Sequence, residues 1–326
     1  HTPFKSELDA VLRRVCDCSL ETAINEKRYK DIITALIGHD GMNYGALPKG
    51  LLSFHMYADG SVRTPLEEQL AEGAQTARKS DGTVRVHFTV SPAHHRLFTD
   101  KIAAVLPALE KSFGVKYDVT LSEQKPSTDT IAANPDNTPF RDEDGNLVFR
   151  PGGHGALIEN LNDLDAAVVF LKNIDNVTPD NRRSDTVRYK EIIAGYLIAA
   201  HDKISGYIER INRGAYGIDD LREMIHFLHD TLNVRNDELK SMEDAELALY
   251  IKDKLNRPLR VCGMVRNEGE PGGGPFIAYN PDGTSSPQIL ESTQIDPANT
   301  EYMEMMKSAT HFNPVSYTHL TLPTIA

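Results

Sequence analysis

Pro151-Gly152-Gly153-His154-Gly155, then the apolar run Ala166 to Leu171, then Asn173-Ile174-Asp175-Asn176: this stretch decides how the fold is read. A glycine-rich turn that opens a helix, followed by a buried strand that delivers an aspartate at its carboxyl end, suits a nucleotide and its metal. Three glycines around one histidine let backbone amides approach a ligand that a Cβ would block. The run before Asp175 is apolar on both faces, so it reads as a central strand, and open α/β sheets bind ligands beyond the carboxyl ends of such strands. Each piece also has a plainer reading, a tight turn at Pro151 to Gly155 and a second turn at Asn173 to Asn176.

The neighbouring sequence agrees with an α/β fold. Val84 to Val90 reads as a strand, Leu97 to Phe113 as a helix and Lys116 to Leu121 as a strand, a spacing that predicts crossovers and a mostly parallel sheet. Asp142-Glu143-Asp144-Gly145-Asn146 reads as a hairpin tip, and a helix is expected near Ala156 to Leu164. From about residue 180 to 257 apolar residues recur at three and four, a helical insertion that is either a cap over a site or a packing layer. Strand signal returns in Leu259 to Val265, Phe276 to Tyr279 and Gln288 to Glu291.

Bulk composition narrows the class. Thirty-five lysines and arginines against 47 acidic residues give a net charge of -12, which argues against a general grip on nucleic acid. Local phosphate binding through glycine-loop amides, a lysine and Mg²⁺ stays open. No apolar stretch reaches the roughly 18 residues that span a bilayer. Three cysteines, Cys16, Cys18 and Cys262, fit reduced thiols and a cytoplasmic setting better than a disulfide framework. Arg182-Arg183 reads as a solvated pair, and the scattered histidines show no ligand spacing.

Taken in order, Pro48-Lys49-Gly50-Leu51-Leu52, Leu121-Ser122-Glu123-Gln124, Pro151 to Gly155 and Asn173 to Asn176 resemble the UDP-sugar pyrophosphorylases of the GT-A nucleotidyltransferase superfamily. Val261-Cys262-Gly263-Met264-Val265 and Ile289-Leu290-Glu291-Ser292 resemble the family's paired strands that carry a glycine and a glutamate at the sugar, and Phe312-Asn313 extends the resemblance. In closer detail the chain is similar to an uncharacterised bacterial domain-of-unknown-function family. The resemblance implies a three-layer, mostly parallel sheet flanked by helices, in a single domain over residues 1–315. It also implies transfer of a nucleotidyl group from a nucleoside triphosphate, UTP favoured, to a sugar 1-phosphate, with no nucleic-acid or membrane partner. Carried over residue by residue, Lys49 and Asp175 are catalytic, with Asp175 on Mg²⁺. Gln124, Gly152, Gly153, His154 and Gly155 meet the nucleotide, while Gly263, Glu291 and Asn313 meet the sugar. A GT-A glycosyltransferase, for which Asp142-Glu143-Asp144 and Asp163-Leu164-Asp165 have the metal-motif spacing, and a non-catalytic sugar-nucleotide-binding protein are the alternatives.

The superfamily's G-x-G-x-R loop is not found between His1 and Leu47, and the chain starts inside an amphipathic pattern of Phe4, Leu8, Val11, Leu12 and Val15. Loss of upstream sequence is the expected cause. Residues 316–326 resemble a translated adapter and are expected to be a non-native tail.

Overall fold

The computed structural model describes residues 2–236, 239, 241–269 and 273–313. The expected foreign tail lies outside them. The protein is mixed α/β and rich in helix, and it forms two compact units, His1–Gln124 with Lys172–Arg188 and Lys125–Leu171 with Tyr189–Ala326. No described helix is long and apolar enough to cross a membrane. Cys16, Cys18 and Cys262 are free thiols.

The first unit begins with helices α1 (Lys5–Cys16), α2 (Leu20–Asn25) and α3 (Tyr29–Ile37), which bury Leu8, Leu12, Leu20 and Ala35 against Met42. Strands β1 (His55–Met56) and β2 (Val62–Arg63) form an antiparallel pair. Helix α4 (Pro65–Thr76) follows, started by Thr64 and Glu67 in a reciprocal capping box with Pro65 in the first turn. Strand β3 (Thr83–Val90), helix α5 (His95–Phe113) and strand β4 (Lys116–Glu123) then make the expected strand, helix, strand unit, with β3 and β4 parallel. Gly114 ends α5 at φ 61, a left-handed turn that a side chain resists.

Alternation explains how this unit packs. Val84, Phe88 and Val90 of β3 are buried, and Phe88 and Val90 join Leu66 and Leu70 of α4 and Phe98, Ile102 and Leu109 of α5 in one core. The other side of the pair carries polar partners: Arg85 Nε lies 3.3 Å from Asp118, and His87 spans Thr120 and Ser122 at 2.7 and 2.8 Å. The pair is therefore amphipathic, unlike a strand covered by helices on both faces.

In the second unit, β5 (Thr130–Ile131) pairs with β6 (Phe149–Arg150). Helix α6 (Ile158–Asn162) is five residues long. Helices α7 (Arg183–Asn212), of which residues 189–212 belong to this unit, α8 (Ile218–Asp230) and α9 (Asp244–Leu255) fill the predicted helical block and bury Ile204, Tyr207, Leu221, Met224, Phe227, Leu247, Ile251 and Leu255. Strand β7 (Val265–Arg266) pairs with β10 (His311–Phe312), β8 (Gly274–Tyr279) pairs with β9 (Ser285–Leu290), and helix α10 (Thr300–Lys307) lies between.

Three expectations are corrected. Residues 166–171 form no strand among the described residues, and Ala166, Ala167 and Val168 are exposed. An apolar run becomes a strand only where neighbouring backbone takes its hydrogen bonds, and none pairs with it here. The large, mostly parallel sheet is likewise not seen: β3 and β4 are the one parallel pair in five two-stranded sheets among the described residues. The strand expected over Leu259 to Val265 is confined to β7, and Val261 to Val265 does not pair with Ile289 to Ser292. Val265 joins β10, and β9 takes β8, its hairpin neighbour across the turn at Gly283, where φ is 78.

The first unit also buries charge. Glu68 of α4 is 1% exposed; its carboxylate accepts from Tyr57 Oη and Arg183 Nη2, with His55 Nδ1 at 3.0 Å and Arg63 Nη1 at 3.6 Å. Arg63 also donates to Asp180 at 2.8 Å, and Arg183 pairs with the same carboxylate. Arg183, read from sequence as solvated, is 3% exposed. Glu68→Ala leaves that guanidinium without its buried partner and is expected to cost about 3–5 kcal/mol, read as a lower urea midpoint. Burial first, and the Glu68 carboxylate second, push the Tyr57 phenol up to about 12; burial does the same to Tyr117. A phenol raised by folding stabilises the fold below its ordinary pKa of about 10 and loses that contribution as the pH climbs from there to about 12. In a phenolate absorbance titration of the twelve tyrosines, Tyr57→Phe removes one late-ionising group.

Candidate functional site

Two of the residues singled out in the sequence meet directly. Lys49 Nζ donates to Asp175 Oδ2 at 3.0 Å across 126 residues of chain, and both side chains reach solvent, at 74% and 35% exposure. Lys49 begins a single 3-10 turn, Lys49–Leu51, and Asp175 sits in the turn closed by Asn176 N donating to Asn173 O at 3.1 Å. Their neighbours explain the meeting. Gly50 is buried, and a Cβ there would lie 2.9 Å from both Ile174 Cγ1 and Phe98 Cζ, so the two motifs are in contact through a glycine with no spare room. Phe98 stands near the start of α5, which follows the carboxyl end of β3. The pair thus lies near the end of the parallel strands where α/β proteins bind ligands.

Helix α4 holds the aspartate from behind. Gln69 Nε2 donates to Asn173 O at 2.9 Å and to Ile174 O at 3.3 Å. Glu72, 1% exposed, takes Lys172 Nζ at 2.7 Å. Sequence reading passed over Gln69, Glu72 and Lys172. Two glutamates and a glutamine at helical spacing among apolar residues, behind a capping box, were the available signal. Gln124 follows β4 in the same unit and is half-buried.

The glycine segment belongs to the second unit. Gly153 has φ -66, and a Cβ on it would meet nothing within 4 Å, so the local fold does not require glycine there. The chain next forms a 3-10 turn over His154–Leu157 and then α6. This is shorter than the helix expected to Leu164, and too short for an end-on dipole to act as an anion site. Gly152 is half-buried, as is Gly155; the His154 side chain is outside what is described.

The three residues expected at the sugar converge in the second unit. Buried Asn313 donates from Nδ2 to Gly263 O at 2.7 Å and from its backbone to Gly273 O at 2.9 Å. A Cβ on Gly273 would lie 3.4 Å from Glu291 Oε1 and 2.4 Å from Ile289 Cγ2, so this position accepts only glycine. Glu291 caps the 3-10 turn that follows β9, and its Oε1 is buried with no hydrogen-bond partner among the described residues. A buried carboxylate oxygen without a donor is costly unless a ligand supplies one.

One carboxylate of each aspartate pair at metal-motif spacing makes a structural contact. Asp142 Oδ1 accepts from Asp144 N at 3.0 Å and Asn146 N at 2.8 Å, and these backbone bonds, Asn146 foremost, hold its carboxyl below the usual range. Asp163 pairs with Lys125 at 2.7 Å. No three metal-ligating His, Cys, Asp or Glu side chains converge among the described residues. Asp175 fits the pattern in which Mg²⁺ takes one carboxylate and fills its octahedron with phosphate and water. Gly50→Ala forces Ile174 or Phe98 to move and is expected to destabilise by about 1–3 kcal/mol, measured by urea unfolding.

No curated protein and no solved structure matches the chain. Residues 1–319 match the family described as a domain of unknown function, DUF4301, and the chain is therefore a member of that family.

Proposed function

We propose that this protein is a sugar-1-phosphate nucleotidyltransferase. The observation that carries the reading is the 3.0 Å pairing of Lys49 with Asp175. A lysine and an aspartate assigned to one reaction from separate motifs stand side by side, with solvent access, near the carboxyl end of the parallel pair.

The reaction joins a phosphate oxygen of a sugar 1-phosphate to the α-phosphorus of a nucleoside triphosphate, UTP favoured, and breaks the bond to pyrophosphate, which leaves with its electron pair. The nucleophile is already an anion, so no general base is needed, and catalysis rests on positioning and charge neutralisation. Asp175 would hold Mg²⁺, which draws negative charge from the phosphates. Lys49 exchanges its carboxylate partner for the departing phosphate. Gln124 and the backbone of Gly152, Gly153, His154 and Gly155 are assigned to the nucleoside. Gly263, Glu291 and Asn313 are assigned to the sugar, whose hydroxyl would donate to Glu291 Oε1, the buried atom with no donor among the described residues. Asp142, whose Oδ1 closes its own hairpin tip by accepting from Asp144 N and Asn146 N, speaks against the glycosyltransferase reading of Asp142-Glu143-Asp144.

The test is pyrophosphate release by the purified full-length protein, with any sequence upstream of His1 included, given Mg²⁺, each of four nucleoside triphosphates and a panel of sugar 1-phosphates. Release with one pair is expected, reduced about 100-fold or more by Asp175→Ala and by Lys49→Ala with the fold intact. Silence of the folded wild-type protein across the panel, or full activity of Asp175→Ala, overturns the proposal.

A further inference from the structure

We infer that Gln69 is a positioning residue for Asp175: by its side-chain amide, helix α4 sets where that carboxylate stands. The inference rests on the reading of Asp175 as the metal-holding residue.

Residues 172–175 belong to no helix or strand, so no regular ladder fixes them. Three tethers of different chemistry fix them instead, on consecutive residues. Lys172 is drawn onto Glu72 at 2.7 Å, with the two side chains 13% and 2% exposed. The Asn173 and Ile174 carbonyls both accept from Gln69 Nε2, at 2.9 and 3.3 Å. The Ile174 side chain packs against Gly50 and Phe98. Asp175 is the next residue, and its carboxylate, 35% exposed, reaches solvent and Lys49.

The polar tethers do not come free. Glu72 is almost wholly buried, and an apolar pair of similar volume in place of a buried ion pair is often neutral or stabilising. Apolar packing of Ile174 would by itself hold the segment against the core. What packing does not fix is rotation and sliding of the backbone that carries Asp175. A two-hydrogen amide that reaches two successive carbonyls fixes both, because each carbonyl lies along a separate direction from the same nitrogen. Gln69 and Glu72 are three apart on α4 and present adjacent turns of one helix face to adjacent residues of the segment. Reach also matters: asparagine carries the same amide one methylene shorter.

The experiment compares wild type with Gln69→Met, which keeps the length and removes the amide, and Gln69→Asn, which keeps the amide and removes the reach. Thermal unfolding checks that each variant is folded. Backbone amide exchange across residues 172–177 is read without any substrate. The Mg²⁺ concentration for half-maximal pyrophosphate release is read alongside the KM for sugar 1-phosphate. Both variants are expected to exchange faster in this segment and to need about 10- to 100-fold more Mg²⁺, with the sugar-phosphate KM unmoved. Unchanged exchange overturns the inference. Faster exchange with an unchanged Mg²⁺ requirement also overturns it, since the amide then only stiffens the chain. If wild type releases no pyrophosphate, the proposed reaction fails, and the role of Gln69 falls with it however the segment exchanges.

Discussion

A carboxylate removed from water has to be neutralised where it lies, and in the first unit that carboxylate is Glu68. Its two oxygens gather Tyr57, His55 and Arg63 from the β1–β2 region and Arg183 from a stretch 115 residues further on. The cost of taking Glu68 out of solvent binds these segments together, because losing any partner leaves a charge or donor stranded. Apolar packing alone would let the returning chain slide. A fixed set of donors does not.

The same helix extends that logic toward the candidate site. Leu66 and Leu70 of α4 turn into the core with Phe88 and Phe98, while Glu68, Gln69 and Glu72 turn to chain returning from far along the sequence. Asp175 is placed by a helix that the motifs never mention. Lys49 is placed by Gly50, whose missing Cβ lets Phe98 and Ile174 close in. The ion pair is thus the outcome of contacts made by residues next to it, each with its own physical reason.

The β3, α5 and β4 elements were legible because their signals are local: alternation in Val84 to Val90, helical spacing through Phe98, Ile102 and Leu109, and a terminating Gly114. The helical block was legible for the same reason. Ala166 to Leu171 was misread because apolar content reports a preference for burial and says nothing of whether a neighbouring strand exists to pair with it. Arg183 looked solvated because its partner Glu68 lies 115 residues away. In the candidate site, the resemblance assigned Lys49 and Asp175 to one reaction without saying that they touch, and for the supports Gln69, Glu72 and Lys172 the one signal was polar residues at helical spacing on α4, since nothing in a single sequence marks which loop that face meets.

The resting partnership of Lys49 and Asp175 has an electrostatic consequence of its own. In a chain of net charge -12 the pair presents a local patch with no net charge, one positive and one negative end 3.0 Å apart. A lone anion approaching Lys49 must first displace a carboxylate, and a lone cation approaching Asp175 must displace an ammonium. A visitor carrying both signs at matching separation breaks one bond and makes two. If the proposed reaction holds, the pair would tilt binding toward the neutralised combination by no more than the roughly 0–1 kcal/mol that an exposed ion pair is worth.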